Sequence, residues 1–165
     1  MPDTTENLKA AFAGESQASR KYAAFARKAE EEGYPQVAKL FRAAAMAETV
    51  HAYNHLKALG GIQSTGDNLR AAIAGENYEV AEMYPGFIST AEAEENKKAR
   101  TSFFWAMEVE KVHAALYQKA LEGLSSPAEE VEIYVCPVCG YTQEGAPPEK
   151  CPVCGTPGKR FELVE

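Results

Sequence analysis

The sequence predicts a mainly α-helical protein, in which a four-helix bundle is followed by a small C-terminal domain held together by a metal ion. Three observations predict this architecture. The motif Glu-x-x-His occurs twice, at Glu48–His51 and Glu110–His113, each time within a long apolar segment of helical periodicity. The first 124 residues consist of two similar halves. Two identical Cys-Pro-Val-Cys-Gly motifs, beginning at Cys136 and Cys151, follow them.

The first half of the duplication predicts a hairpin of two helices. Asp3 and Glu6 form an Asp-x-x-Glu capping box, which starts the first helix. Its apolar stripe is interrupted only by Glu15. A glycine ends this helix and a proline suits the first turn of the next. The predicted boundaries are a stop at Gly33, a start near Pro35 and an end at Ala58, before Gly60 and Gly61.

The second half repeats the first and predicts a second hairpin. Gly14-Glu15 matches Gly75-Glu76 at an offset of 61 residues, and later positions match at an offset of 62. These later pairs are Tyr22 with Tyr84, Phe25 with Phe87, Phe41 with Phe103, Glu48 with Glu110 and His51 with His113. We expect Thr65 or Asp67 to cap the third helix, a turn near Asn96 to precede the fourth, and Gly123 to end it.

The change of offset means that the third helix carries one extra residue between Glu76 and Tyr84. A one-residue insertion in a helix usually produces a π-bulge, often at a functional site. Pro85 also removes a helical hydrogen bond. We therefore expect a bulge or kink near residues 79–84. The insertion brings a new carboxylate, Glu79, whose counterpart in the first helix is Ala18.

The duplicated acidic and imidazole side chains suit a pair of iron ions. A Glu in an apolar helix stripe is costly unless its charge is compensated. Two Glu-x-x-His helices and one Glu from each of two further helices form the ligand set of di-iron bundles. Here that set is Glu15, Glu48, His51, Glu76, Glu110 and His113. Four carboxylates balance two Fe²⁺, whereas two Fe³⁺ favour an additional carboxylate, which Glu79 can supply.

Charge balance motivates the hypothesis that Glu79 binds the oxidised site and that a neutral histidine replaces it on reduction. Tyr22 and Tyr84 lie about two turns from Glu15 and Glu76 and could hydrogen-bond ligand carboxylates. The alternative for both tyrosines is an ordinary place in the apolar core.

The two cysteine motifs predict a mononuclear metal site formed by Cys136, Cys139, Cys151 and Cys154. Each motif turns so that backbone N–H groups point at sulfur, and the following glycine permits a left-handed conformation. Four thiolates at this spacing suit either iron or zinc. About 34 residues cannot build a core of their own, so the metal must hold this domain together.

Composition excludes several partners and compartments. The chain has 165 residues, with 17 Lys and Arg against 24 Asp and Glu, and a net charge of −7. This balance argues against nucleic acid or an anionic membrane surface as the partner. No apolar run approaches the roughly 18 residues of a membrane span. The first six residues lack the features of a secretory signal, and every cysteine has metal-ligand spacing, so we expect a cytoplasmic protein.

Taken together, these motifs resemble those of the rubrerythrins over essentially the whole chain. The matching stretches are Gly14-Glu15-Ser16 with Tyr22, Glu48 to Ala52, Gly75 to Glu79 with Met83-Tyr84-Pro85, Glu110 to Ala114 and the two cysteine motifs. The resemblance implies a ferritin-like four-helix bundle over residues 1–124, a linker at 125–131 and a rubredoxin-like domain at 132–165.

The resemblance also implies an activity, the reduction of hydrogen peroxide to water in defence against oxidative stress. Glu48 and Glu110 would bridge the two irons, and Glu15 and Glu76 would be terminal ligands. His113 would bind the iron that Glu76 binds, while Glu79 and His51 would exchange on the other iron. The cysteines would hold one iron that relays electrons from an external rubredoxin or NAD(P)H-dependent reductase.

The connection between the two hairpins predicts a domain-swapped dimer. Ferritin-like bundles join their second and third helices by a long crossover. From Glu48 to Gly60 there is about 18 Å of helix, and from Asp67 to Glu76 about 13 Å, so the crossover must span roughly 31 Å. Residues 61–66 extend to roughly 25 Å. We therefore expect the first hairpin of one chain to pair with the second hairpin of another, with an intrachain up-down-up-down bundle as the alternative.

Three other functions compete with the peroxidase. Ferritin-like oxidation and storage of iron would require a mineral-forming cage, and the cysteine domain argues against it. A zinc-ribbon interaction module would leave the carboxylates without a role. An oxygen-activating hydroxylase would need a substrate cavity.

Overall fold

The computed structural model describes residues 3–126 and 130–165. The described elements are α1 (Thr4–Glu31), α2 (Pro35–Ala58), α3 (Thr65–Tyr78), a π-helical segment (Glu79–Met83), α4 (Tyr84–Ala93), α5 (Lys97–Gly123), β1 (Ile133–Val135), β2 (Thr142–Glu144), a 3₁₀ turn (Gly158–Arg160) and β3 (Glu162–Leu163). The protein is mainly α-helical, as predicted. By its internal contacts the chain divides into two compact units, Met1–Gln63 and Ser64–Glu165.

The first unit is the predicted hairpin of α1 and α2. The capping box is confirmed: the Glu6 N–H donates to Asp3 Oδ1 at 2.8 Å, and the Asp3 N–H donates to Glu6 Oε2 at 3.0 Å. Gly33 has a φ of 81°, a left-handed conformation that lets the chain reverse between the helices. Pro35 begins α2, where its missing N–H costs nothing.

The two hairpins repeat the same aromatic packing. In the first unit, the ring of Tyr22 lies 6.2 Å from Phe25 and 6.2 Å from Phe41, and these two phenylalanines are 5.6 Å apart. The equivalent distances among Tyr84, Phe87 and Phe103 are 6.2, 6.4 and 5.5 Å. The sequence duplication is therefore a duplication of structure.

The N-terminus of α3 differs from the prediction, which named Thr65 or Asp67 as the cap and was wrong. Ser64 is the capping residue: its hydroxyl accepts from the Asp67 N–H at 3.2 Å and donates to the Asp67 carboxylate at 2.6 Å. Thr65 is the first helical residue. Ser, Thr and Asp are all good caps, so only the backbone conformation at Ser64 decides among them.

The π-bulge predicted from the one-residue insertion is confirmed. A π-helical turn spans Glu79–Met83, and the Tyr84 N–H donates to the Glu79 carbonyl five residues earlier. Pro85 lies in the first turn of α4, where the loss of its N–H is tolerated. The bulge accommodates the extra residue without ending the helical path.

The cysteine motifs lie beside a three-stranded antiparallel sheet with the order β2-β1-β3. Each motif closes with a turn: the Gly140 N–H donates to the Cys136 carbonyl, and the Gly155 N–H to the Cys151 carbonyl, both at 2.9 Å. Gly140 and Gly155 have φ of 85° and 77°, a region that favours glycine. Phe161 packs with the cysteines in a small core.

Part of the predicted linker at residues 125–131 lies outside the described residues, since 127–129 are not among them. The structure groups residues 64–165 into one compact unit, which includes the second hairpin and the cysteine domain. Among the described helices, none combines the length and the apolar character needed to cross a bilayer.

Candidate metal centres

The first hairpin brings together Glu15 from α1 with Glu48 and His51 from α2. Their potential ligand atoms all lie within 4.8 Å of one another. Nδ1 of His51 is 2.7 Å from Oε2 of Glu48, as expected for side chains three residues apart on one helix. Two carboxylates and one imidazole nitrogen converge at this point, which is half of a di-iron ligand set.

The second hairpin builds the equivalent triad from Glu76 of α3 with Glu110 and His113 of α5. The ligand atoms again lie within 4.8 Å of one another, and Nδ1 of His113 is 2.6 Å from Oε2 of Glu110. The side chains of His113 and Glu110 are only 26% and 17% exposed. Each of the two units thus holds one triad of the same composition.

The π-bulge places Glu79 in the electrostatic environment of this second triad. Burial raises the pKa of Glu79, and the charge of Glu110 raises it further. Burial and the same Glu110 charge also raise the pKa of Glu76. These carboxylates repel one another in the absence of a cation, so a bound metal ion would relieve an unfavourable accumulation of negative charge.

The two predicted tyrosines have different surroundings. Burial raises the pKa of Tyr84, and the neighbouring Glu79 raises it further through its charge and a hydrogen bond. For Tyr22, the interactions within the described residues are ring contacts to Phe25 and Phe41. The Tyr84 hydroxyl is thus directed at a candidate ligand, whereas the equivalent role of Tyr22 stays a prediction.

The raised pKa of Glu79 predicts an effect of pH on the metal-free chain. A carboxyl whose pKa is higher in the folded state adds stability that is present below its ordinary pKa and is lost as the pH rises through the raised value. The temperature of the thermal unfolding midpoint of the chain without metal at the carboxylates should therefore decrease as the pH rises from about 4.5 towards neutral.

The variant Glu79→Gln cannot ionise at this position, so its unfolding midpoint should fall less over the same pH range. Circular dichroism of the helices measures both midpoints. Equal pH dependence of the two proteins would contradict the assigned repulsion between Glu79 and Glu110.

The four cysteine sulfurs form a compact cluster. The Sγ atoms of Cys136 and Cys154 are 3.6 Å apart, and those of Cys139 and Cys151 are 3.5 Å apart. A tetrahedral ion with metal–sulfur bonds of about 2.3 Å requires sulfurs roughly 3.8 Å apart. The observed spacing fits such an ion with small adjustments, and no pair of these cysteines forms a disulfide.

Hydrogen bonds tune one of the thiols. Burial alone would raise the pKa of Cys154, but hydrogen bonds from Thr156 lower it to about 7. The Thr156 hydroxyl lies 3.1 Å from Cys154 Sγ. Burial raises the pKa of Cys139 and Cys151. A metal ion with a positive charge would stabilise all four as thiolates.

One contact was not predicted from the sequence. Nε2 of His113 lies 2.9 Å from Oγ1 of Thr142 in the cysteine domain. The two residues are separated by 29 positions, and Thr142 belongs to no motif, so only the folded chain could show the pair. A single threonine after Cys-Gly-Tyr carries no sequence signal of its own.

A helical hairpin duplicated around two Glu–Glu–His triads, followed by four cysteines at metal distance, defines a ferritin-like di-iron carboxylate protein with a rubredoxin-like domain. Comparison with family models agrees. The model described as "Rubrerythrin" matches residues 6–121, and that described as "Rubrerythrin, rubredoxin-like domain" matches residues 134–162. The chain belongs to the rubrerythrin family, a family of oxidoreductases, and its cofactors are a di-iron site and a four-cysteine metal site.

Individual relatives match over nearly their whole length. Rubrerythrin-2 of Clostridium acetobutylicum is 35% identical over 175 residues, covering 96% of this chain and 95% of the relative. Nigerythrin of Nitratidesulfovibrio vulgaris is 40% identical over 172 residues, covering 96% and 85%. A solved structure of fully reduced, all-ferrous nigerythrin has a TM-score of 0.60 at 38% identity and covers 99% of this chain and 88% of that one.

Proposed function

We propose that this protein is a peroxidase that reduces hydrogen peroxide to water at the di-iron site and receives its electrons through the four-cysteine site. The observation that carries the proposal is the position of the cysteine domain. It contacts α5, the helix that contributes Glu110 and His113, through the hydrogen bond between His113 and Thr142. An electron-carrying site held against a ligand helix is useful to an enzyme that must be re-reduced after each turnover.

We propose roles for the residues of each triad. Glu48 and Glu110 would each be shared by the two metal ions, while Glu15 and Glu76 would each hold one of them. His113 would hold the ion that Glu76 holds. Their carboxylate oxygens and imidazole nitrogens are donors that suit iron. When bound, two Fe²⁺ ions supply the two electrons that reduction of one peroxide requires.

Glu79 and His51 are proposed as alternative ligands of the other metal position. Glu79 lies in the π-bulge, and its raised pKa means that its negative charge is unfavourable in the metal-free chain. A metal ion of higher charge would therefore stabilise this carboxylate more strongly. The Tyr84 hydroxyl interacts with Glu79 and would hold its carboxylate when it does not bind metal. Tyr22 is proposed for the matching role at the first hairpin.

Stopped-flow spectroscopy of the reduced protein tests this function. The anaerobically reduced chain is mixed with one equivalent of hydrogen peroxide, and the visible band of a ferric four-cysteine site is followed. We expect rapid return of the band, much faster with peroxide than with oxygen. A faster response to oxygen would favour the ferroxidase or oxygenase function. No band would show zinc at the cysteines and would overturn the electron relay.

The electrons are proposed to come from an external rubredoxin or an NAD(P)H-dependent reductase in the cytoplasm, since the four-cysteine site holds one electron and each turnover uses two. Two deliveries are therefore needed for each peroxide. A steady-state assay that couples NAD(P)H oxidation to peroxide consumption would measure this requirement directly.

We also propose that the active molecule is a domain-swapped homodimer. α2 ends at Ala58 and α3 begins at Thr65, so the connection extends to roughly 25 Å, too short for the crossover of roughly 31 Å that a single-chain ferritin-like bundle needs. The first hairpin also leaves Phe25, Val37 and Leu40 exposed at 47%, 44% and 67%, and the last two share the face of α2 that carries Glu48 and His51. A second copy of the chain would cover these side chains.

Mixing two inactive variants tests the swap. In a swapped dimer, each di-iron site combines the first hairpin of one chain with the second hairpin of the other. Chains carrying His51→Ala and His113→Ala, unfolded together and refolded, would form heterodimers with one intact site and one doubly defective site. We expect about a quarter of the wild-type activity per chain.

Each variant refolded alone is the matched control and should stay inactive. No recovery of activity in the mixture, together with dimers of the expected mass, would contradict the swap and favour a bundle within each chain.

A further inference from the structure

The hydrogen-bond geometry around Thr142 makes Nε2 of His113 a hydrogen-bond donor. The Thr142 hydroxyl lies 3.1 Å from the Gly140 carbonyl, to which it donates. Its single proton is then used, so its oxygen accepts from Nε2 of His113 at 2.9 Å. Nδ1 faces Oε2 of Glu110 at 2.6 Å, on the side where the metal ligands converge, so a metal ion held there would replace the hydrogen bond between these two atoms.

The contact belongs to a wider interface between α5 and the cysteine domain. Trp105, Val109 and His113 are spaced four residues apart and share one face of α5. Trp105 lines a cleft with Val138, and a Cβ placed at Gly140 would lie 3.9 Å from Val109. The packing of these side chains keeps Thr142 within hydrogen-bonding distance of His113 in the same chain.

For His51, the equivalent histidine of the first hairpin, the structure describes no matching hydroxyl contact among residues 3–126 and 130–165. Among the described residues, His51 has one hydrogen-bonding neighbour, Glu48, on the Nδ1 side of its ring. Its side chain is 53% exposed, against 26% for His113. Of these two histidines, His113 is the one with a described partner at each ring nitrogen.

We propose that Thr142 is a positioning residue that fixes the ring orientation of His113, keeps the Nε2-protonated tautomer when a metal ion is bound at Nδ1, and thereby strengthens metal binding at the triad of the second hairpin. The inference rests on the proposed ligand role of His113. It goes beyond that role by tying metal retention at one position to a hydroxyl of the cysteine domain.

Zinc is the probe for the test, because it is diamagnetic and binds both the cysteines and the carboxylate–histidine sites. The chain has three histidines, so a nitrogen-15 imidazole spectrum of the zinc-loaded protein contains three ring systems. In the wild type we expect a slowly exchanging Nε2–H on His113 and a metal shift on its Nδ1. Competitive titration with a chromophoric chelator measures the affinity of each zinc position.

Thr142→Val keeps the shape of the side chain but removes the acceptor. We expect it to expose the Nε2–H to exchange and to weaken one of the two carboxylate-site zinc ions by about 10–100-fold, with the other unchanged. Thr142→Ser keeps the hydroxyl and should restore both readouts. Thr90→Val is the matched control, since Thr90 also donates to a backbone carbonyl at 3.1 Å but contacts no histidine among the residues that the structure describes.

Unchanged exchange and unchanged zinc affinity in Thr142→Val would overturn the inference. So would equal weakening of both zinc positions. If Nδ1 of His113 shows no metal shift in the wild type, the ligand assignment itself is wrong, and the inference is overturned with it. Retention of zinc at the cysteines in every variant establishes that the cysteine domain is folded.

Discussion

Replacing Cys136 by serine is expected to unfold the cysteine domain and to abolish peroxide reduction by an external donor, while the helices remain folded. Cys136 is the most buried of the four cysteines, at 1% exposure, and it packs with Cys151 and Phe161 in a core of only a few residues. The sheet has strands of two or three residues and cannot be stable by itself. Binding of a structural metal ion contributes about 10–16 kcal/mol in comparable small domains.

Three measurements check this prediction. The visible band of the four-cysteine site should disappear, the amide signals of residues 132–165 should lose their dispersion, and the helical circular dichroism should be kept. Val138→Ala is the matched control, because Val138 lies in the same motif but is 42% exposed and supplies no ligand. A Cys136→Ser variant that keeps one metal ion per cysteine domain with a folded sheet would contradict the prediction.

Glu110→Gln is expected to reduce kcat/KM for peroxide by more than about 100-fold, because removing a group that only supports a ligand already costs about 10–100-fold. The amide keeps the size of the side chain but removes the charge that would bridge two metal ions. Glu110 lies 2.6 Å from His113 and is 17% exposed, so its replacement has little room to rearrange. Analysis of metal content should show loss of iron from the carboxylate site and retention of iron at the cysteines.

Although Glu110→Gln should lower the activity, it should raise the stability of the metal-free chain. The charge of Glu110 raises the pKa of both Glu76 and Glu79, which means that the three carboxylates repel one another when no cation is present. Removing that charge should raise the unfolding midpoint of the metal-free protein at neutral pH. Glu108→Gln is the matched control, since Glu108 lies on the same helix and pairs with Lys111. A less stable metal-free Glu110→Gln variant would show that Glu110 holds the hairpin together.

Features that depend on neighbours in the sequence could be predicted from it. The capping box at Asp3 and the start of α2 at Pro35 follow from residues within one turn of each other. The π-bulge at residues 79–83 follows from a one-residue change in the offset of the duplication. The Glu–His pair of each triad follows from its i, i+3 spacing, and the third members, Glu15 and Glu76, follow from the duplication. Each of these features can be predicted from residue spacing, because the regular geometry of a helix fixes where residues at a given spacing lie.

The errors and omissions have physical causes as well. Three neighbouring side chains can cap a helix, those of Ser64, Thr65 and Asp67, so the sequence did not decide among them. In the structure Ser64 is the cap, because its backbone has the extended conformation of a capping residue. Tyr22 and Tyr84 are equivalent in the duplication, yet among the described residues only Tyr84 has a neighbouring carboxylate from the bulge in its own chain. Equivalent sequence positions acquire different surroundings when an insertion alters one copy.

The sequence by itself determined the class of this protein: the helices, the duplicated ligand triads and the four-cysteine site, because regular spacing places these side chains wherever a helix or a metal-bound turn forms. Only the tertiary structure decided that Thr142 meets His113. This contact joins residues 29 positions apart and has no spacing rule. It exists because the cysteine domain packs on α5, and packing of one surface on another depends on the shape of both.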